Sequence, residues 1–587
     1  MEEIAPMSST LLAAILALSL SADAKAPLGA HPADLVLPDA VSGKPWALAN
    51  ETRGAKAIVL AFIDSSCPVS QNHLPGLNRL KAEHGDKGLR VVGIYCHPGD
   101  TIAEAGQHAA KVKLAFPVLH DEGGKWARKL AVDRVPCAMV LDQGLIVRYR
   151  GRIDDQFAPG VSRSKPTRRD LRDALDEVLA NKPVTTPWTQ TLGCLLSHPE
   201  PRPARADGPT WTGAVASIIQ KACQDCHRPG EAAPFSLLTH DDARDWAAMI
   251  REVIDNRRMP PWHAAASPGH FSNERALADK DRQSLLDWID AGCPKGIGEE
   301  PKPRVFTEGW RIGNPDRVIR MGRPVEVPAQ FLLGVVGMPY QYIMSDTVVD
   351  KDLWVSEIEV RPQNRAQIHH IIVYIVPEGK SFPGILRGSP DGLGGGMLAA
   401  YVPGDLPVLY PEGLAKKIPK GARLLFEMHY TPNGVPVADR SGVGIKLAKG
   451  PVRHEVRTRA ILNRRFTIPP GDPAHEVRAS KAFEKEAVIL TLSPHMHLRG
   501  KDFAMDLSEP GMPAAPLLRV PRYDFNWQES YALAKPLRVP AGTRIDCVAH
   551  FDNSAGNPAN PDPSKEVRWG DMTWNEMMIG FLDYYNP

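Results

Sequence analysis

The sequence has almost no net charge: 70 lysines and arginines stand against 68 aspartates and glutamates, a formal +2 over 587 residues. That balance removes the electrostatic case for a nucleic-acid partner. Long apolar runs are also missing. The one sustained stretch, Leu11 to Leu20, is too short to cross a bilayer, so no transmembrane segment is expected. Cysteine is sparse. The eight residues Cys67, Cys96, Cys137, Cys194, Cys223, Cys226, Cys293 and Cys547 do not make a dense disulfide framework. Only Cys547 lies in the second half, so thiol chemistry belongs to the first. Proline and glycine are plentiful, at 55 and 48 residues, which suits β-rich domains joined by extended linkers. A chain of this length exceeds a single core and calls for about three or four domains.

The apolar run ends in Ser21-Ala22-Asp23-Ala24, the pattern of a signal-peptide core followed by a small-residue cleavage site. Residues 1–24 are therefore expected to be a signal peptide, and the mature chain to be periplasmic or secreted. Glu2 and Glu3 stand where positive charge is usual, and a start at Met7 would remove both. A disordered tail is the alternative.

Residues 30–182 alternate strand and helix patterns. Ile58–Ile63 and Leu89–Tyr95 read as buried strands with an amphipathic stretch, Leu74 to His84, between them. Ala138–Asp142 and Leu145–Tyr149 read as a hairpin across Gln143-Gly144, and Arg169 to Ala180 as a helix. A Pro-rich linker at 183–210 leads to a compact helical segment at 211–296. A second linker, 297–314, opens a long β-patterned region in which a seam near Gly450-Pro451 separates 315–450 from 451–587. The fold expected is multi-domain: one α/β domain, one small all-α domain, then two all-β sandwiches.

Cys67 lies just after the first strand in Asp64-Ser-Ser-Cys-Pro-Val-Ser70. A helix N-terminus favours the thiolate, which makes Cys67 the natural nucleophile. The segment resembles the thioredoxin-like redoxin family, which implies that Pro136 is the cis-proline beside the thiol. Ser70 occupies the place of the second cysteine in that family's oxidoreductases, so the usual disulfide cannot form. Cys137, next to Pro136, is the expected resolving partner, with Cys96 the weaker candidate. A thiol-inactive docking scaffold is the alternative.

Cys223-Gln-Asp-Cys226-His227 is a C-x-x-C-H motif. Two thiols one helical turn apart can bond both haem vinyl groups while the adjacent imidazole ligates iron. With its ending at Leu285–Trp288 and Ala291–Pro294, the segment resembles small c-type cytochrome domains, whose haem is attached outside the bacterial cytoplasm. Met259 is the first choice of sixth ligand, because a thioether gives a high-potential haem, and His263 the second. A zinc knuckle would lack an obvious fourth ligand.

The C-terminal half carries two histidine groups. His369 and His370 are adjacent on a strand pattern, so their joint service to one metal needs a local twist or a bulge. His429 ends a second strand and would complete a three-imidazole site. His495 and His497 are two residues apart, placing both on one strand face. Met577 follows on the last strand, with Met578 facing the other way. Two imidazoles and a thioether select copper, Cu(I) above all, whereas zinc rarely takes methionine. His550 is either a support for the ligands or a core histidine.

In this order, the His pair, the later His, the His-x-His and the late Met resemble the copper type II ascorbate-dependent monooxygenases, the peptidylglycine alpha-hydroxylating and dopamine beta-hydroxylating group. The resemblance covers about 315–585. It implies two jelly-roll-like sandwiches, each with one copper ion, facing across a solvent-filled cleft. His369, His370 and His429 would pass electrons, and His495, His497 and Met577 would bind dioxygen and abstract hydrogen from a C–H bond. Ser493, Ile579 and Phe581 stand where the amidating enzyme anchors its substrate carboxylate, which excludes peptide amidation. The expectation is an exported copper monooxygenase, with electrons delivered through the fused haem c and the thiol domain from an external donor to an unidentified small-molecule or peptide substrate. The competing expectations are a non-catalytic copper and haem relay, and a thiol peroxidase or disulfide reductase centred on Cys67.

Overall fold

Seven consecutive residues, Ala57–Ile63, are all buried, because this strand lies at the centre of a five-stranded sheet with helices packed against it. Burial on both faces removes the alternation of a half-exposed strand and leaves a continuous apolar run. The sheet order is Val118–His120, Leu89–Tyr95, Ala57–Ile63, Cys137–Asp142, Val147–Gly151. The first three are parallel and the last two antiparallel. Helices Pro68–His84, Ile102–Lys111 and Asp170–Leu179 complete a thioredoxin-like α/β arrangement. The helix at Ile102 starts on a capping box, in which Thr101 and Glu104 satisfy each other's backbone N–H groups.

The computed structural model describes residues 28–163, 165–196, 208–329, 338–381 and 394–587. The expected signal peptide and the core of the first Pro-rich linker lie outside them. The chain forms two units: Met1–Asp155 with Arg168–His198, and Gln156–Thr167 with Pro199–Pro587.

In the second unit, a helical segment precedes the strands, with Ala216–Ala222, His240–Asp245, Ala247–Asp255 and Asp279–Asp290 as its α-helices. Trp288 is fully buried at its centre, beside Trp211, and its indole N–H donates to the Pro294 carbonyl at 3.0 Å. The remainder is strand-rich. One sheet joins Arg317–Arg320, Gly442–Leu447, Leu353–Arg361, Leu414–Ile418 and His454–Glu455, and a second joins Gln341–Met344, Arg423–Tyr430, Ile368–Val376 and Met397–Tyr401. Both contribute to one core around Val355, Ile371 and Phe426. Farther along, Arg457–Leu462, Ile579–Tyr585, Ala487–His495 and Tyr531–Val539 form one four-stranded sheet. His475–Ala482, Arg544–Phe551, Gly500–Ser508 and Ala515–Val520 form its companion, with Phe483, Phe503 and Phe551 in the shared core. Along Arg544–Phe551 buried and less buried residues alternate, as a sheet with one face on the core requires. No helix among the described residues is long and apolar enough to cross a membrane.

Candidate functional site

His370 and His429 are direct cross-strand partners in the ladder between Ile368–Val376 and Arg423–Tyr430. A bulge interrupts that ladder between Ile368 and His370. His369 is thus an extra residue, freed from the alternation that would send it to the opposite face. The Nδ1 atoms of His369 and His370 come within 3.1 Å of each other. One ring nitrogen from each of His369, His370 and His429 lies within 4.8 Å of the other two.

His495 ends the strand Ala487–His495, and His497 lies just beyond it, with the two ring centroids 5.3 Å apart. The turn is held by buried Glu576, whose carboxylate accepts the backbone N–H of His497 at 2.9 Å and of Arg499 at 2.6 Å. The solvent-filled cleft implied by the family resemblance is not what the structure has. The ring centroids of His370 and His495 are 6.2 Å apart. Phe525 stacks on His369 at 4.3 Å and lies 6.0 Å from His497, so an aromatic ring fills space that water would otherwise take. The five imidazoles form one cluster.

Three of their ring nitrogens, His369 Nε2, His429 Nδ1 and His497 Nε2, are buried without a hydrogen-bond partner among the described residues. Several opposite nitrogens are tethered. His495 Nδ1–H donates to Gln528 Oε1 at 2.7 Å and His497 Nδ1–H to the Asn575 carbonyl at 3.2 Å, while His429 Nε2 lies 3.1 Å from the Thr573 hydroxyl. Burial pushes all five imidazoles down, to about 4 for His369 and His495, leaving them neutral near pH 7. Neutral rings with one nitrogen fixed and the other bare in a buried cluster fit a soft or borderline cation. Met577 precedes the last strand instead of lying on it. It packs with Ile579 and Phe581, and the Phe581 ring is 6.4 Å from His495. Met578 turns into the sandwich core. His550 is partly exposed and donates to Asp502 at 2.7 Å, a structural pairing outside the cluster.

Cys223 caps the helix Ala216–Ala222, and Cys226 and His227 follow in the turn. The His227 Nδ1–H donates to the Phe235 carbonyl at 3.2 Å, and Phe235 is itself stacked on Trp246 at 3.8 Å. This fixes the ring with Nε2 as the nitrogen left to ligate, which fits an axial ligand. Burial pushes His227 down to about 4. Of the two expected sixth ligands, His263 is committed to Glu529, which accepts its backbone N–H at 3.1 Å and lies 3.2 Å from its Nδ1. Met259 is half-buried, just past the helix Ala247–Asp255.

In the first unit, Cys67 is the N-cap of helix Pro68–His84, with Pro68 in the first turn. Its thiol is fully buried and donates to the Val135 carbonyl at 3.5 Å, and the Val135–Pro136 bond is cis. Burial pushes the thiol up, but hydrogen bonds from the Cys194 thiol and from the backbone N–H groups of Ser70 and Cys194 outweigh it. The Asp64 carboxylate opposes them, and the net value lies below that of an ordinary thiol. Asp64 is held up at about 6 by burial, against hydrogen bonds from the N–H groups of Ser66 and Cys67.

Residues 28–150 match the model of the AhpC/TSA family. This part of the chain is an AhpC/TSA domain. A hypothetical protein from Sinorhizobium meliloti is similar at 31% identity, over 29% of this chain and 92% of that one, with a TM-score of 0.27. An uncharacterized conserved protein from Geobacillus kaustophilus is similar at 26% identity over the same shares, also with a TM-score of 0.27. A secreted disulfide oxidoreductase of Mycobacterium tuberculosis, homologous to E. coli DsbE, is similar at 21% identity, over 25% of this chain and 96% of that one, with a TM-score of 0.19. No curated protein matches the chain.

Cys137 is the resolving partner expected from the sequence. It opens the strand Cys137–Asp142 opposite Phe62, where burial pushes its thiol up. Cys96 donates to the Ile63 carbonyl at 3.9 Å, and burial pushes its thiol well up. The thiol hydrogen-bonded to Cys67 is that of Cys194, a cysteine without a motif of its own in the sequence.

Proposed function

We propose that the first unit is a thiol oxidoreductase that uses Cys67 as its nucleophile, acting as a peroxidase or a disulfide reductase. The observation that carries this reading is the set of three hydrogen bonds on the Cys67 sulfur at the start of a helix, which favour the thiolate despite burial. The AhpC/TSA match over 28–150 supports it. Thiol-dependent consumption of hydrogen peroxide, and of a small disulfide such as oxidised glutathione, tests it on the full chain. Cys67→Ser should abolish the faster of the two reactions, and activity unchanged in that variant would sink the reading.

A second reading is favoured by the bare nitrogens of the five-imidazole cluster: a copper-dependent monooxygenase in the second unit, exported to the periplasm or beyond. His369, His370 and His429 would hold one copper ion and His495, His497 and Met577 another. Bound copper would supply one-electron chemistry and the activation of dioxygen for attack on a substrate C–H bond. The chain's own part is to fix the rings through Gln528, Asn575 and Thr573 and to exclude water with Phe525. Cys223, Cys226 and His227, with Met259 as sixth ligand, would hold haem c as a relay from an external electron donor. An attached relay raises the local concentration of reductant. Metal and haem stoichiometry is the first test, on protein from an exporting, haem-maturing host. Dioxygen uptake with oxygenation of a product, lost in His497→Ala and Met577→Ala, is the second. Zinc in place of copper, or copper without turnover for any reductant, would end this reading.

A further inference from the structure

The segment Cys194–Leu195 forms a short antiparallel pair with Arg134–Val135, placing Cys194 opposite Val135. Val135 is also the residue whose carbonyl accepts the Cys67 thiol. The Cys194 backbone and the Cys67 thiol therefore meet at one residue, and the two thiols are hydrogen-bonded, although Cys194 lies outside the stretch, 28–150, that matches the AhpC/TSA model. Gly193 makes the approach possible, since a Cβ there would collide with the Val135 carbonyl oxygen. Of the other two thiols of the unit, Cys96 donates to the Ile63 carbonyl and Cys137 opens the strand Cys137–Asp142 opposite Phe62. Ser70, at the usual place of a second cysteine, has no sulfur to offer, and its hydroxyl is buried without a partner among the described residues.

We propose that Cys194 is the resolving thiol of Cys67 and that the two form a reversible intramolecular disulfide. This rests on the thiol reading above and supplies its missing partner. Cys67 is fully buried, so the oxidant is a small one, a hydroperoxide. The Cys67 thiolate attacks the terminal peroxide oxygen; the O–O bond breaks, and the alkoxide or hydroxide leaves with a proton as alcohol or water. The sulfur becomes a sulfenic acid. The Cys194 sulfur, giving up its proton, then attacks the Cys67 sulfur; the S–O bond breaks, the S–S bond forms and water leaves. The two thiols lose two electrons and the peroxide gains two. An external thiol restores the pair by exchange.

The test treats the reduced full-length protein with hydrogen peroxide, alkylates the remaining thiols and maps peptides without reduction. The expected product is one crosslink joining the Cys67 and Cys194 peptides, retained in Cys137→Ser. In Cys194→Ser the crosslink is lost, and Cys67 sulfenic acid, trapped by dimedone, becomes the main species. A Cys67 crosslink to Cys137 or Cys96 would overturn the pairing while leaving the thiol reading intact. Dimedone-reactive Cys67 without any crosslink in the unsubstituted protein would also overturn the pairing. A Cys67 that stays reduced while peroxide is consumed, or is not consumed, would overturn both.

Discussion

The first unit surrounds its buried thiol with donors from its own chain, whereas the second leaves buried imidazoles with nitrogens that no described residue satisfies. Cys67 has a carbonyl to donate to and three hydrogen bonds to receive. In the histidine cluster His495, His497 and His429 are tethered, but one nitrogen each of His369, His429 and His497 is bare among the described residues. Buried polar atoms are normally paired, and each exception asks for a cause. A thiol site can be finished by protein alone. An imidazole site with unpartnered buried nitrogens leaves room for a cation, the copper reading proposed above.

The sharpest way to break that contrast is His370→Ala, which removes a ring from the centre of the cluster. Copper affinity should fall by more than about 100-fold, beyond the roughly 10–100-fold typical of changes to a ligand's outer partners. Metal retention after dialysis, with the copper EPR signal, measures it. Unchanged retention would mean that the bare nitrogens have another cause.

A smaller effect separates the units through pH. Burial raises Asp64 from 3.8 to about 6, so the folded state binds its proton more tightly than the unfolded chain does. Its contribution is therefore greatest at low pH, falls as pH rises from about 4 to about 6, and is flat above. The span is about 2–3 kcal/mol. Asp64→Asn should flatten it, read as hydrogen-exchange protection of Ala57–Ile63 after correction for chemical exchange. An undiminished slope would place the titrating group elsewhere.

Smaller still is Gln528→Ala, which unties His495 Nδ1 but removes no ligand. A loss of about 10-fold in copper affinity is expected, at the lower end for an outer partner. His550→Ala, outside the cluster, should leave the metal unaffected and change stability by no more than about 0.5 kcal/mol. Equal losses in the two variants would dissolve the distinction between tether and bystander.

Local pattern was enough for much of the fold. Leu89–Tyr95, the hairpin across Gln143-Gly144 and the helix Asp170–Leu179 stand where periodicity places them, because each is stabilised by burying its own repeating apolar positions. The histidines were legible for a similar reason: spacing and strand pattern mark them as possible ligands. What pattern could not give is the company these residues keep. Phe525, Gln528 and Glu576 reach the cluster from loops, where no periodicity announces a direction. Its place beside Pro136 made Cys137 the expected partner of Cys67, yet a short strand pairing across many residues brings Cys194 to the Cys67 thiol instead. Gly193 was the available signal, a residue without a side chain directly before a cysteine.

The bulge at His369 bears on how such a cluster can arise. Ile368 pairs with Tyr430 and His370 with His429, so the residues on either side of His369 already match consecutive positions of the neighbouring strand. Deleting His369 would restore an uninterrupted ladder and leave every pairing from Ile371 onward unchanged. The sheet does not need that residue to keep its register. A single inserted codon could therefore have added the third imidazole to an older sandwich, and a single deletion could remove it, with the fold transmitted intact in either case.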